Sequence, residues 1–237
     1  MKCRTDAFTL AELLAVVAVL GLLAGLLWPL IARAQELKRR TLCLSHLRQL
    51  NEALGLYTDD HDSLLPSRQP NRRWPAQLQP YYLSTKLLVC PSDDQRTERP
   101  AGPPDAAPRS YSLSGFGDPQ VDSFEEESWP QFVDGPAGGT LRQESIQHPS
   151  ETVVLGETHG SDFYVELKRE AGSFIEVLVL GRHGLDREDV LGDRSGGANH
   201  AFADGSVRFV DFGKAICPVN LWGITDYYRT NYALCFF

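Results

Sequence analysis

One long apolar run near the N-terminus constrains the fold of this chain more than any other feature. After Glu12 no ionisable side chain occurs until Arg33, and a helix over such a run is long enough to span a hydrocarbon core of about 30 Å. A carboxylate at the mouth of the run is costly in lipid, and residues of this kind usually have a function. We therefore predict a transmembrane helix over residues 8–32 and a specific role for Glu12.

The sequence after the span predicts a continuation of the same helix. Apolar residues recur mostly three or four positions apart, which is the repeat of an amphipathic helix; they are Leu37, Leu44, Leu47, Leu50, Leu54 and Tyr57. We predict one helix from residue 8 to about residue 60, roughly 80 Å long at 1.5 Å per residue. Residues 33–60 form its amphipathic half and residues 61–237 a globular head. Trp28-Pro29 either kinks this helix or marks the end of the membrane span.

The charge of the chain argues against nucleic acid as a partner. The formal net charge is −8, whereas contacts to phosphates need a basic face. The one basic cluster, Lys38-Arg39-Arg40, follows the apolar run, and we expect it to lie against anionic membrane lipid. These three basic residues outnumber Lys2 and Arg4 on the other flank of the span. By the positive-inside rule, the count alone would place the head in the cytoplasm.

Cysteine usage points instead to an oxidising compartment. Cys3 precedes the span, and the other four cysteines are an even number suited to two disulfides; they are Cys43, Cys90, Cys217 and Cys235. Three connectivities are open. The pairs Cys43–Cys90 and Cys217–Cys235 are favoured because each brackets one contiguous region. No zinc pattern is matched, since neither a CxxC nor a paired histidine accompanies these cysteines.

The head has the pattern of a small β-rich domain. Residues 151–157 are rich in β-branched side chains and predict a strand, and residues 163–179 predict a hairpin about a turn at 170–173. A second hairpin is predicted about Asp204-Gly205, with a type I′ turn that needs positive φ at both residues. Asp204 is then a turn residue or, alternatively, a metal ligand. The predicted fold class is α+β, a long N-terminal helix packed on a small antiparallel sheet.

Two further features leave alternatives open. Four carboxylates in one loop could hold a structural Ca²⁺, or the loop could simply be solvated; they are Asp186, Glu188, Asp189 and Asp193. The aromatic residues of 216–237 either close a core or form an interface.

Known catalytic patterns are missing from the sequence. The six histidines show no metal-ligand spacing, and no nucleophile elbow, P-loop or dinucleotide fingerprint is present. We expect no enzyme activity, no cofactor besides the possible Ca²⁺, and histidines that lie at the surface or in turns.

The start of the chain resembles the class III signal of type IV prepilins and type II secretion pseudopilins. The residues that carry the resemblance are Ala-Phe-Thr-Leu-Ala-Glu-Leu-Leu at 7–14, although the family usually has Gly where Ala7 stands. In that family a short basic leader is cut before a Phe, the new N-terminus is methylated, and a Glu four positions on pairs with a neighbouring subunit's N-terminus. The resemblance implies that residues 1–7 are the leader, Phe8 the mature N-terminus and Glu12 the assembly carboxylate.

Other motifs resemble a pseudopilin-like family abundant in planctomycetes. They are the segment 43–50 with His46 in place of the usual Asn, the Cys-Pro-Ser-Asp segment at 90–93 and the Ser-Tyr-Ser-Leu segment at 110–113. The family's closing motif is His, nine residues, then Asp-Gly. Asn199, Asp204 and Gly205 match its end, whereas Arg194 occupies the place of the His, and a pair Arg182-His183 lies upstream of a charged insertion.

These resemblances imply a pilin-like fold and a structural function. The chain would be a pseudopilin or pilin-like subunit of a type II secretion or type IV pilus-like filament. Its partners would be itself or other pseudopilins, prepilin peptidase, the inner-membrane assembly platform and membrane lipid. The resemblance and the cysteine count together place the N-terminus in the bacterial cytoplasm and the head outside the inner membrane. The alternative function is a membrane-anchored module that binds a ligand or carbohydrate and does not polymerise.

Overall fold

One helix dominates the computed structural model, which describes residues 9–69, 71–93, 102–115, 141–159, 162–165, 178–184 and 196–235. This helix, α1, spans Leu10–Asp60. It begins with a capping box, in which the Thr9 hydroxyl accepts from the Glu12 amide and the Glu12 carboxylate accepts from the Thr9 amide. It ends where the backbone N–H of His61 donates to the Thr58 carbonyl.

The two halves of α1 lie in different environments. The N-terminal half contains a window of 18 residues with mean hydropathy 2.5 and no buried residue, and it is long and apolar enough to cross a membrane. Pro29 lies inside the helix, which continues past it. A helix that continues past Pro29 is compatible with a membrane boundary at this residue.

The C-terminal half of α1 packs on the head through a narrow face. Its buried apolar residues larger than alanine are spaced four, three, four and three apart, the pattern of a helical stripe; they are Cys43, Leu47, Leu50, Leu54 and Tyr57. Two members of the predicted face differ. Leu37 is 56 % exposed and Leu44 is half-buried, because the face that meets the sheet passes through Cys43 instead.

Within the described residues, the head contains a five-stranded mixed sheet in the order β3-β1-β2-β4-β5. The strands are β1 (Tyr111–Ser114), β2 (Val153–Glu157), β3 (Tyr164–Val165), β4 (Gly197–Phe202) and β5 (Val207–Asp211). The neighbours β1–β2, β2–β4 and β4–β5 are antiparallel, but β1 and β3 are parallel. The prediction of an antiparallel sheet is wrong at this edge. Most of the predicted hairpin at 163–179 lies outside the described residues.

The β4–β5 turn differs from the predicted type I′ turn. Only Gly205 has positive φ, at 87°, its N–H donates to the Phe202 carbonyl, and the Phe202 N–H donates to the Ser206 carbonyl. These bonds fit a three-residue loop that ends in a left-handed glycine. Asp204 stabilises the loop, because its Oδ1 accepts from the Ser206 amide at 2.9 Å and from its hydroxyl at 2.6 Å. Asp204 is thus a turn residue in this structure.

Two apolar clusters lie against the sheet. The α1 cluster joins the buried face of α1 to the short helix α2 (Trp74–Leu78) and to β1, β2 and β4. The second cluster is closed by the C-terminal segment, where Trp222, Tyr228 and Tyr232 are buried with Phe202. This segment contains a six-residue helix, α3 (Asp226–Asn231), and is clamped by the Cys217–Cys235 disulfide. Its buried aromatics therefore close a core, while Tyr227 remains 55 % exposed.

Candidate functional site

Four polar side chains from four separate segments meet where α1 crosses the sheet. Cys43 comes from α1, Cys90 from the segment after α2, Glu157 from the end of β2 and His183 from the segment before β4. All four residues are buried, and one donor atom of each lies within 4.8 Å of the others. We call this set the thiol–carboxylate cluster. It is the one such group within the described part of the chain.

Glu157 lies at the centre of the thiol–carboxylate cluster. Its side chain is fully buried, and its Oε1 accepts from Cys43 Sγ at 2.5 Å and lies 2.9 Å from His183 Nε2. Its other oxygen accepts from the backbone N–H of Asn199 at 2.9 Å. Glu157 ends β2 beside the edge of β4, so the sheet register fixes the position of this carboxylate.

His183 connects the cluster back to α1. Its Nδ1 lies 2.9 Å from Glu36 Oε1, and its Nε2 lies 3.8 Å from Cys90 Sγ and 3.0 Å from Asn199 Nδ2. Because Glu36 can only accept when ionised, it holds a proton on Nδ1 and turns Nε2 toward the cluster. Helix α1 therefore orients this imidazole through Glu36, which lies about two turns before Cys43.

The cysteines are held by further hydrogen bonds. Cys43 Sγ lies 2.9 Å from the Tyr111 hydroxyl, and the Cys90 amide donates to the Ser110 hydroxyl at 3.0 Å. Cys43 and Cys90 are free thiols in this structure, rather than the predicted disulfide. Their sulfurs nevertheless lie within 4.8 Å of each other.

The Cys-Pro-Ser-Asp segment places two more polar groups around the cluster. Ser92 donates to Glu36 Oε1 at 3.0 Å. Asp93 forms a buried ion pair of 3.0 Å with Arg182, whose guanidinium also donates to the Thr158 carbonyl at 2.8 Å. This segment and the Arg182-His183 pair, far apart in sequence, thus form one polar shell.

The cluster contains both charged and neutral groups, because its members shift one another's pKa values. Burial alone would raise the pKa of Glu157, but the neighbouring His183 and the more distant Arg182 lower it to about 2. Burial likewise opposes the charge on His183, yet Glu157 and its hydrogen-bond partners raise its pKa to about 11. Burial and the charge of Glu157 raise the pKa of Cys43. Without a ligand the cluster is thus an ion pair beside a protonated Cys43 thiol.

The other predicted site residues are placed as follows. Ala7 and Phe8, and all four candidate Ca²⁺ ligands, lie outside the described residues. Glu12 is exposed and engaged in its own helix cap, with Oε2 2.9 Å from the Thr9 amide. Of the motif residues, Asn199 is fully buried at the cluster, while Asp204 and Gly205 form the β4–β5 turn described above.

Sequence reasoning missed the partners of the two cysteines. The sequence pattern predicts only a strand at Glu157, and it predicts histidines at the surface or in turns. That expectation is wrong for His183 and His200, which are 5 % and 2 % exposed. The available signal was the Arg182-His183 pair together with Glu157 as a charged residue ending an apolar strand, since fully buried charges are rare unless paired.

A cavity of about 390 Å³ is a separate concave feature. It lies between the C-terminal part of α1 and the β4–β5 turn, and its lining includes Asn51, Leu54, Gln143, Ile146 and Asp204. The cavity does not include any member of the thiol–carboxylate cluster.

Comparison with models of known protein families, with curated proteins and with solved structures finds no match to this chain.

Proposed function

We propose that this chain is a pseudopilin-like subunit that is rooted in the bacterial inner membrane and assembles into a filament for secretion or a type IV pilus-like fibre. The observation that carries the proposal is α1, a single helix with one half exposed and apolar and the other half packed on a head. In this design one rigid rod serves first as an anchor and then as the core of a filament.

The apolar surface of the exposed half of α1 must be shielded from water. Large apolar side chains there are about half exposed or more on every side of the helix; they include Leu13, Leu14, Val17, Leu20, Leu23, Leu27 and Ile31. A soluble protein rarely leaves a continuous apolar surface of this size in water. Lipid covers such a surface in the membrane, and neighbouring helices cover it in a bundle.

Glu12 supports assembly rather than simple anchoring. A carboxylate within a membrane helix is costly unless it is paired. Among the described residues of the single chain, Glu12 bonds only to Thr9 at the start of its own helix, and these groups are exposed. We infer that, in the filament, Glu12 pairs with the N-terminal ammonium of Phe8 on an adjacent subunit. The pair fixes the register between helices.

Processing and location follow from this proposal. Prepilin peptidase cuts between Ala7 and Phe8, the new amine is methylated, and the inner-membrane assembly platform draws the subunit into the filament. The N-terminus starts in the cytoplasm and the head lies outside the membrane, where the Cys217–Cys235 disulfide is stable. The subunit contacts membrane lipid before assembly and copies of itself or other pseudopilins afterwards.

Mass spectrometry of the mature N-terminus tests this function. The full chain is expressed with and without a prepilin peptidase, and the expected product is a chain that begins with N-methylated Phe8 only when the peptidase is present. An intact Met1, or a cut elsewhere in both samples, contradicts the proposal. Glu12→Val is the matched assembly variant: we expect normal cleavage but loss of helix-to-helix crosslinks. Unchanged crosslinking would contradict the register argument.

The cavity beside the β4–β5 turn favours one other function, a surface module that binds a small ligand and does not polymerise. The cavity has a volume of about 390 Å³, and its lining combines apolar side chains with Asn51, Gln143 and Asp204. Small-molecule pockets often have such a mixed lining. The same experiment separates the two functions, because a non-polymerising module predicts no Phe8 terminus and no crosslinks between subunits.

A further inference from the structure

The thiol–carboxylate cluster offers four good metal-donor atoms at one point. The two sulfurs, one imidazole nitrogen and one carboxylate oxygen all lie within 4.8 Å of one another. Each residue comes from a different segment of the chain, so the cluster is formed by the tertiary fold and not by a local loop. The side chains of both Glu157 and His183 have no exposed surface.

We propose that Cys43, Cys90, Glu157 and His183 bind one Zn²⁺ ion, which ties the membrane-proximal part of α1 to the head.

The donor types select the metal. Two thiolates with an imidazole and a carboxylate suit a tetrahedral Zn²⁺ site, whereas Ca²⁺ and Mg²⁺ take oxygen ligands. With metal–sulfur bonds of about 2.3 Å and metal–nitrogen or metal–oxygen bonds of about 2.0 Å, ligand atoms lie roughly 3.3–3.8 Å apart. The Cys90 Sγ to His183 Nε2 distance of 3.8 Å already fits. Glu157 Oε1 now lies 2.5 Å from Cys43 Sγ and 2.9 Å from His183 Nε2. It must move away from the sulfur by roughly 1 Å and from the nitrogen by roughly 0.4 Å to reach these separations.

The surrounding groups are arranged as in metal sites. A ligating histidine usually donates its other ring N–H to a carboxylate, which fixes the tautomer, and Glu36 lies 2.9 Å from His183 Nδ1. The second carboxylate oxygen of Glu157, Oε2, accepts from the backbone N–H of Asn199. The Tyr111 hydroxyl, 2.9 Å from Cys43 Sγ, can donate to the thiolate. These bonds do not use the cluster-facing lone pairs of their partners. Asn199 Nδ2 lies 3.0 Å from His183 Nε2 and must turn aside for the ion to bind there.

Metal binding also resolves the proton content of the cluster. On binding Zn²⁺ both thiols lose their protons to solvent. The imidazolium of His183 also loses the proton on Nε2 to solvent, so that the neutral ring coordinates the ion through that nitrogen. Two thiolates, one carboxylate and the ion sum to a single negative charge, and Arg182 stands beside the cluster in an ion pair with Asp93. A Cys43–Cys90 disulfide would use neither Glu157 nor His183, so it leaves unexplained why both are buried here.

The test counts metal and thiols on the full chain in detergent micelles. The measurement uses the Cys3→Ser variant, because Cys3 is the one cysteine that belongs neither to the site nor to the Cys217–Cys235 disulfide. We expect about one zinc per chain by elemental mass spectrometry, and two reactive thiols after denaturation in chelator without reductant. No zinc and no thiols would show a Cys43–Cys90 disulfide and overturn the proposal. Two thiols without zinc, and without thiolate-to-metal absorption when Co²⁺ is added, would overturn it as well.

Matched variants locate the ion without depending on one substitution. Glu157→Gln and His183→Gln should each lower bound zinc severalfold, while the same changes at exposed acid and histidine positions, Glu151→Gln and His148→Gln, should leave it at about one per chain. Equal zinc in all four variants would contradict the assignment.

Glu36 is a positioning residue in this proposal. Its variant provides a test that does not depend on whether the ligand variants fold. Its side chain is 15 % exposed, so Glu36→Gln should fold. We expect its zinc affinity to fall roughly 10- to 100-fold with the stoichiometry kept, measured by competition with a chromophoric chelator. An unchanged affinity would contradict the orientation of His183 that the proposal requires. Failure of the zinc site would leave N-terminal processing untouched, because the two depend on different residues.

Discussion

Leu47→Ala should loosen the contact between α1 and the head. Leu47 is fully buried on the face of α1 that meets the sheet. The change removes three carbon atoms, worth about 0.8 kcal/mol each in transfer from water, and a cavity that does not collapse adds about 1 kcal/mol. We therefore expect a loss of roughly 3 kcal/mol in the free energy of unfolding of the head.

Leu56→Ala on the same half of α1 is the matched control. Leu56 is 53 % exposed, so its truncation leaves no cavity, and leucine and alanine differ little in helix propensity. We expect a change within about 0.5 kcal/mol. Both variants are measured as full chains in detergent micelles by urea unfolding, followed by the fluorescence of the buried Trp74 and Trp222. Equal losses in the two variants would refute the claim that α1 docks through this face.

Three further predictions use the same unfolding assay. Burial lowers the pKa of His200 from 6.5 to about 4, so the unfolded chain binds the proton more tightly; stability present above pH 6.5 should fall by roughly 3 kcal/mol as the pH drops toward 4. His200→Gln should flatten that part of the pH profile, and an unchanged profile would contradict a neutral buried imidazole. Gly156→Ala should cost several kcal/mol, because its Cβ would lie 2.7 Å from Trp222 and 2.8 Å from His200; a neutral effect would show that the indole can move. Replacing both Cys217 and Cys235 with serine should lower the free energy of unfolding by roughly 3 kcal/mol for a loop of this length. As a control, the wild-type chain with its disulfide reduced should be as stable as this variant.

Patterns within one segment predicted much of the fold. The apolar run and the three-four repeat predicted α1, which ends at Asp60, and the β-branched run at 151–157 predicted β2. The Asp-Gly pair predicted the β4–β5 connection, because a short loop needs a residue that tolerates positive φ. The turn type was wrong, since the same pair also suits a loop in which glycine alone is left-handed.

Features that depend on distant residues were not predictable in the same way. The parallel pairing of β1 with β3 joins residues about 50 positions apart, and no local pattern specifies which edge a short strand will take. The thiol–carboxylate cluster draws on positions 43, 90, 157 and 183, each a single polar residue in its own segment. Spacing rules for metal sites describe ligands that share one loop, so they do not detect ligands that only the tertiary fold assembles.

The position of the cluster along α1 connects the two proposals. Cys43 lies eleven residues beyond Ala32, roughly 16 Å along a helix, and Glu36 and Arg40 also contact the head within this interval. Glu36 reaches His183, and the Arg40 guanidinium lies 4.2 Å from the centre of the Phe209 ring. The head is therefore held against the helix directly above the proposed membrane surface, without a free helical linker. A Zn²⁺ ion at Cys43 would fix this point, so that any force on the head during assembly passes straight into the membrane-embedded half of α1.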